Sequence, residues 1–111
     1  MGHVEREIRL YRTNAGTVPF SEWFDSLGDI KTQQRIDARL ARMRLGNFGD
    51  AKAIGEGVHE LRLDFGPGYR IYFGQEGRTI VILLCGGDKS SQQRDIKKAK
   101  QFWLNYQERS T

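Results

Sequence analysis

Residues 58–77, VHELRLDFGPGYRIYFGQEG, hold two alternating runs on either side of Gly66, Pro67 and Gly68. Apolar residues at every second position around a cluster of turn formers specify a β-hairpin. Placing Phe65 opposite Tyr69 sets Leu63 against Ile71 and Leu61 against Phe73, apolar against apolar. The other face then pairs Asp64 with Arg70 and Arg62 with Tyr72. A turn at Glu76 and Gly77 leads into RTIVILLC (78–85), whose unbroken apolar character is that of a central strand covered on both faces. These three strands are expected to form an antiparallel meander.

Working outward, VEREIRLY (4–11) alternates well enough for a first strand. Pro19 opens a helix at its most tolerated position, and Phe20, Trp23, Phe24 and Leu27 follow at i, i+3, i+4 and i+7 until Gly28. Asp29 is placed as the N-cap of a second helix ending at Gly46, with Ile36, Leu40 and Met43 on one stripe. So short a link makes the two helices an antiparallel pair. GNFGDAKAIGEG (46–57) carries four glycines and reads as a loop between the helical and sheet halves. Downstream, Ser90 and Gln93 form a capping-box pattern for a last helix with Ile96, Ala99, Trp103 and Tyr106 inward. The expected fold is α+β in the order β-α-α-β-β-β-α, one domain over 1–111, with the helices mainly on one side of the sheet.

Composition bounds the function. With 111 residues, 38% hydrophobic and 29% charged, the chain has the profile of an ordinary globular protein. The longest apolar run, Ile80 to Cys85, is strand-sized, far below the roughly 18 residues of a membrane span. No apolar segment of signal-peptide type opens the sequence, and the single cysteine, Cys85, cannot build an internal disulfide. Both point to a cytoplasmic protein. Eighteen Lys and Arg against 14 acids give a formal charge of +4, which favours a polyanionic partner such as RNA, or an acidic protein.

Candidate chemistry lies on the polar face of the hairpin. Arg62 and Arg70 are expected diagonal to one another, roughly 7–8 Å apart, a spacing that brackets one phosphate. Glu60 and Asp64 on the same face offer the competing reading, surface ion pairs. Lys89 leaves the central strand in CGGDKSS (85–91) beside the start of the last helix, where a cation is unfavourable unless an anion is expected. No G-x-x-x-x-G-K-[ST], H-E-x-x-H or C-x-x-C motif occurs. The chemistry that remains is metal-free and cofactor-free cleavage of RNA through the substrate's own 2′-hydroxyl, with arginines neutralising charge and Lys89 or His59 moving a proton. His59 shares the strand phase of Leu61 and Leu63, so it also reads as a packed histidine. Tyr72 is a candidate for stacking a base or for cross-strand packing. His3 is placed in a frayed terminus. Arg35, Arg39 and Arg42 form a second basic stripe. Between residues 29 and 46, Lys31, Arg35, Arg39, Arg42 and Arg44 against Asp29 and Asp37 leave a net +3. That stripe suits a phosphate backbone, an acidic protein segment or plain solvent.

The stretches FSEWFDSL (20–27), GNFGDAKAIGEGVHELRLDFGPGYRIYF (46–73) and LLCGGDKSSQQRDIKKAK (83–100) resemble the RelE/ParE toxin superfamily. The similarity is to its phage-derived addiction module killer branch, often described as HigB-like, and it spans about Tyr11 to Tyr106. The resemblance implies a compact antiparallel sheet with an N-terminal helical hairpin and a C-terminal helix. It further implies a toxin of a type II toxin–antitoxin pair, cutting messenger RNA on the ribosome without metal. The partner would be a cognate antitoxin of helix-turn-helix type, with heterotetramers usual for the family. By position, the arginine of the GYR turn is Arg70, the basic residue of the preceding strand Arg62, and the basic residue after the last strand Lys89. Arg35, Arg39, Arg42, His59, Tyr72 and Arg94 are placed with RNA binding. The sequence departs from the RelE type at Glu60, where a further lysine stands. It departs again at Gln92, Gln93 and Arg94, where no tyrosine is offered. ParE-like members instead inhibit DNA gyrase, and a non-catalytic antitoxin-binding module is a third possibility.

Overall fold

The computed structural model describes residues 4–110. The elements run β1 (Glu7–Leu10), α1 (Pro19–Ser26), α2 (Ile30–Arg44), β2 (Ala51–Gly55), β3 (Val58–Leu63), β4 (Tyr69–Glu76), β5 (Ile80–Gly87), a 3₁₀ turn (Lys89–Ser91) and α3 (Gln92–Arg109). The fold is α+β, with one sheet in the order β1-β5-β4-β3-β2. The reading of His3 lies outside the described residues.

Two expectations about the sheet are corrected. First, it is mixed: β2 to β5 pair antiparallel, but β1 runs parallel to β5, with Glu7 opposite Ile80 and Leu10 opposite Leu83. Strand β5 is central, and Val81 to Leu84 are at most 1% exposed. Such a strand needs a neighbour on each edge; β4 takes one and β1 closes the other. Second, the glycine-rich 46–57 segment contains a strand, β2, paired Ala51 to Leu61 and Ala53 to His59.

The helices also divide between the faces instead of gathering on one. From α1 and α2, Phe20, Ile36, Leu40 and Met43 pack on Leu61, Leu63, Ile71, Phe73, Val81 and Leu83. On the far face Ala99 and Trp103 of α3 meet Val58, Tyr72, Ile82 and Leu84. Each fully buried side chain of this kind contributes about 1.5–3 kcal/mol relative to exposure.

The hairpin pairs Leu63 with Tyr69, Arg62 with Arg70, Leu61 with Ile71 and Glu60 with Tyr72. The expected register is therefore wrong by two residues. A shift of two preserves the faces, so the apolar side is as expected while the pairing across the polar side is new. The cause is the connection 64–68, in which Gly66 and Gly68 both take positive φ (60° and 79°) around Pro67. It is a five-residue loop rather than a tight turn about the proline.

At the end of β5 a bulge leaves Leu84 between the pairs Tyr72–Cys85 and Phe73–Leu83. The two glycines beyond it then face opposite sides. A Cβ on Gly86 would lie 2.2 Å from the Trp23 ring of α1, and one on Gly87 would lie 1.9 Å from Asp95 Oδ2 of α3. Close approach of one helix to each face is what this Gly-Gly pair permits.

Candidate functional site

The end of the sheet where β3 and β4 join is also where α3 begins. On the α3 side, Arg62 and Arg70 stand directly opposite one another. That brings them to roughly 4.5–5.5 Å at Cβ, closer than the diagonal expected, and like charges so placed repel. The counter-charge is Glu60, which is fully buried.

Glu60 Oε2 accepts from the Gln92 amide at 2.8 Å and from the Tyr72 hydroxyl at 3.1 Å. Oε1 accepts from Arg62 Nε at 3.3 Å, and Arg70 Nε lies 3.8 Å from Oε2. Burial pushes the Glu60 carboxyl up, but the hydrogen bonds from Gln92, Tyr72 and Arg62 and the charge of Arg70 outweigh it. Its pKa is held below the ordinary glutamate value, so the group is an anion at neutral pH. Its hydrogen bonds leave it poorly disposed to accept a proton from a substrate.

Arg70 is the more enclosed arginine, its side chain 11% exposed against 39% for Arg62. Its Nη1 donates to the Gly68 carbonyl at 3.0 Å, with the Tyr69 carbonyl at 3.4 Å. Buried Arg70 Nε makes no hydrogen bond. Among the described residues, no hydrogen bond involves Arg70 Nη2 or either terminal nitrogen of Arg62. Gly68 links this pair to Lys89: a Cβ there would sit 3.4 Å from Arg70 Nη1 and 3.5 Å from Lys89 Cβ. Two cationic side chains thus flank one glycine.

Lys89 is exposed and starts the 3₁₀ turn that leads into α3. The cap is Asp88, not Ser90 as expected. Asp88 Oδ1 accepts from the Ser90 backbone N–H at 2.8 Å, and the Asp88 N–H donates to Ser91 Oγ at 3.4 Å. The tighter turn begins two residues before the sequence pattern suggests, so Ser90 is already inside it. Hydrogen bonds from Ser90 hold the Asp88 carboxyl below its ordinary range. Lys89, Gln92 and Arg94 line an open depression of about 630 Å³ with the intervening residues. The Arg94 side chain is 71% exposed, with Nε 4.0 Å from Asp95 Oδ1.

The remaining candidates separate from this patch. Tyr72 is 0% exposed with its hydroxyl on Glu60, and burial raises its pKa. It offers no face to a base, so its placement with RNA stacking is corrected to packing. His59 lies on the other side of the sheet, stacked 5.3 Å from Phe73 at 16°, its Nδ1 buried without a partner. It cannot reach the Arg62–Arg70 pair, which lies on the opposite face of the sheet. Arg35, Arg39 and Arg42 line a separate depression of about 270 Å³ with Asp64 and Phe65. There the Arg35 guanidinium covers Phe65 at 3.9 Å.

Sequence reasoning gave Glu60 only the role of an ion-pair neighbour and gave Gln92 none. The available signal was an acid sharing a strand phase with Arg62 and with the apolar Val58.

No family model and no solved structure matches the sequence. A Haemophilus influenzae protein described as uncharacterized is 48% identical to it over 84 residues, spanning 76% of this chain and 85% of that protein. The chain belongs to the same family as this Haemophilus influenzae protein.

Proposed function

We propose that the chain is the toxin of a type II toxin–antitoxin pair, of the RelE/ParE superfamily, and that it cuts messenger RNA on the ribosome without a metal ion. The observation that carries the reading is the arginine pair: Arg62 and Arg70 stand side by side over a buried carboxylate, with Lys89 across Gly68. Two guanidiniums at this spacing suit a phosphodiester, whose transition state gathers negative charge on the non-bridging oxygens. The 2′-oxygen bonds to phosphorus as the bond to the 5′-oxygen breaks; the 2′-hydroxyl loses its proton and the 5′-oxygen gains one. Arginine stays protonated, so the Lys89 ammonium is the group that gives a proton to the leaving 5′-oxygen, while the 2′-proton passes to water. The GPGYR and LLCGGDKS stretches and the formal charge of +4 support the same reading.

With Tyr72 buried and His59 on the other face, the patch is poor in proton acceptors, which favours a binding role as the second reading. Growth arrest and translation-dependent messenger RNA cuts on brief induction, mapped by primer extension, are the expected outcome. Arrest without cuts sends the assignment to gyrase inhibition; neither arrest nor cuts leaves an antitoxin-binding module.

A further inference from the structure

We propose that Glu60 is a positioning residue whose buried carboxylate sets Arg62 and Arg70 side by side and leaves their uncommitted terminal nitrogens to a phosphate. The inference rests on the nuclease reading for its kinetic consequence, but its geometry is independent of it. A buried carboxylate is costly unless it is paired and hydrogen-bonded, and here every donor comes from a different place in the fold. Tyr72 reaches Glu60 from β4, Gln92 from the first residue of α3, and Arg62 from two residues along β3. Bonds at both oxygens fix the plane of the carboxylate. Held at Nε, Arg62 loses freedom about its long stem while Nη1 and Nη2 make no protein hydrogen bond among the described residues.

A carboxylate acting only as packing would tolerate any isosteric replacement. Glu60→Gln keeps the shape, removes the charge and brings an N–H₂ group up against donors. The protein should stay folded, which urea unfolding and the amide spectrum check. Three results are then expected in Glu60→Gln: RNA cleavage at saturating substrate falls about 10²-fold, the cost of small misplacement; solvent exchange of the Arg62 Nε–H, read by ¹⁵N NMR, accelerates at least about tenfold, one RT ln 10 of lost protection; and inorganic phosphate no longer shifts that resonance as it does in wild type. Unchanged exchange and phosphate response in folded Glu60→Gln overturn the inference, and so does unchanged cleavage by an active protein. If Glu60→Gln does not fold, Glu60→Asp, which keeps the charge and shortens the reach, takes its place with the same three readouts. A wild type that cuts no RNA defeats the nuclease reading alone; the exchange and phosphate measurements still decide the role of Glu60.

Discussion

The protein carries two sets of arginines on opposite sides of one sheet, and they are built differently. On the α3 side, Arg62 and Arg70 share a fully buried counter-charge. On the α2 side, Arg35, Arg39 and Arg42 follow a helix face, and Arg35 rests on Phe65. The first set is like charge forced together and held by Glu60. The second is spread along a surface where water and salt screen it. Proximity without a tether is what solvent can supply; a tethered pair has a fixed geometry, and fixed geometry is what a reacting phosphate requires.

That contrast can be broken first through stability. Glu60→Ala should cost about 3–5 kcal/mol, because it leaves the Tyr72 hydroxyl, the Gln92 amide and Arg62 Nε without their acceptor and Arg70 without its counter-charge. Asp64→Ala, on the exposed loop, should stay within about 0.5 kcal/mol. Urea unfolding compares the two, and equal losses would dissolve the distinction between tethered and solvated charge. Activity comes next. Arg70→Ala should lower RNA cleavage about 10²–10³-fold, the scale for removing one transition-state donor. Gly87→Ala should then cost about 1–3 kcal/mol, since its methyl group would meet the Asp95 carboxylate and displace the start of α3.

The pH dependence sharpens the comparison further. Glu60 has a pKa below its unfolded value of about 4.3, so its contribution is fully present above that pH and is lost as pH falls through the lower, folded value. As pH falls below about 4.3, Glu60→Gln should flatten the loss of stability measured by urea unfolding. Asp88, its carboxyl also held below the ordinary range by Ser90, acts in the same direction and remains in the variant. The smallest effect belongs to the α2 stripe: Arg35→Ala should cost no more than about 1 kcal/mol, the exposed cation–π contribution.

How much of this was legible in the sequence depended on which kind of information each element carries. Face assignment in the hairpin was legible because alternation survives a slip of two, so Leu61, Leu63, Ile71 and Phe73 were placed correctly. Register was not, because the length of loop 64–68 depends on two left-handed glycines that the alternation does not report. The central place of β5 followed from its apolar run, whereas the parallel direction of β1 has no signature in four residues. Strand β2 was hidden because its side chains are mostly exposed, and its identity comes from backbone pairing to β3. At the site, the polar phase of β3 announced Arg62. The same phase made Glu60 look like a surface residue; only Tyr72 and α3 closing over it turn it into a buried anchor. The two glycines after Cys85 admit Trp23 and Asp95, a close approach of helix to strand that the alternation does not report.

The most direct test of the central claim sets the two arginine groups against each other in one experiment. Cut sites in messenger RNA would be mapped by primer extension after brief induction of wild type, Arg70→Ala and an Arg35→Ala, Arg39→Ala, Arg42→Ala triple variant at equal soluble expression. The tethered-pair account predicts translation-dependent cuts in wild type, their loss in Arg70→Ala, and the same cut sites, at most weakened, in the triple variant. Cuts that persist in Arg70→Ala and vanish only in the triple variant would contradict it.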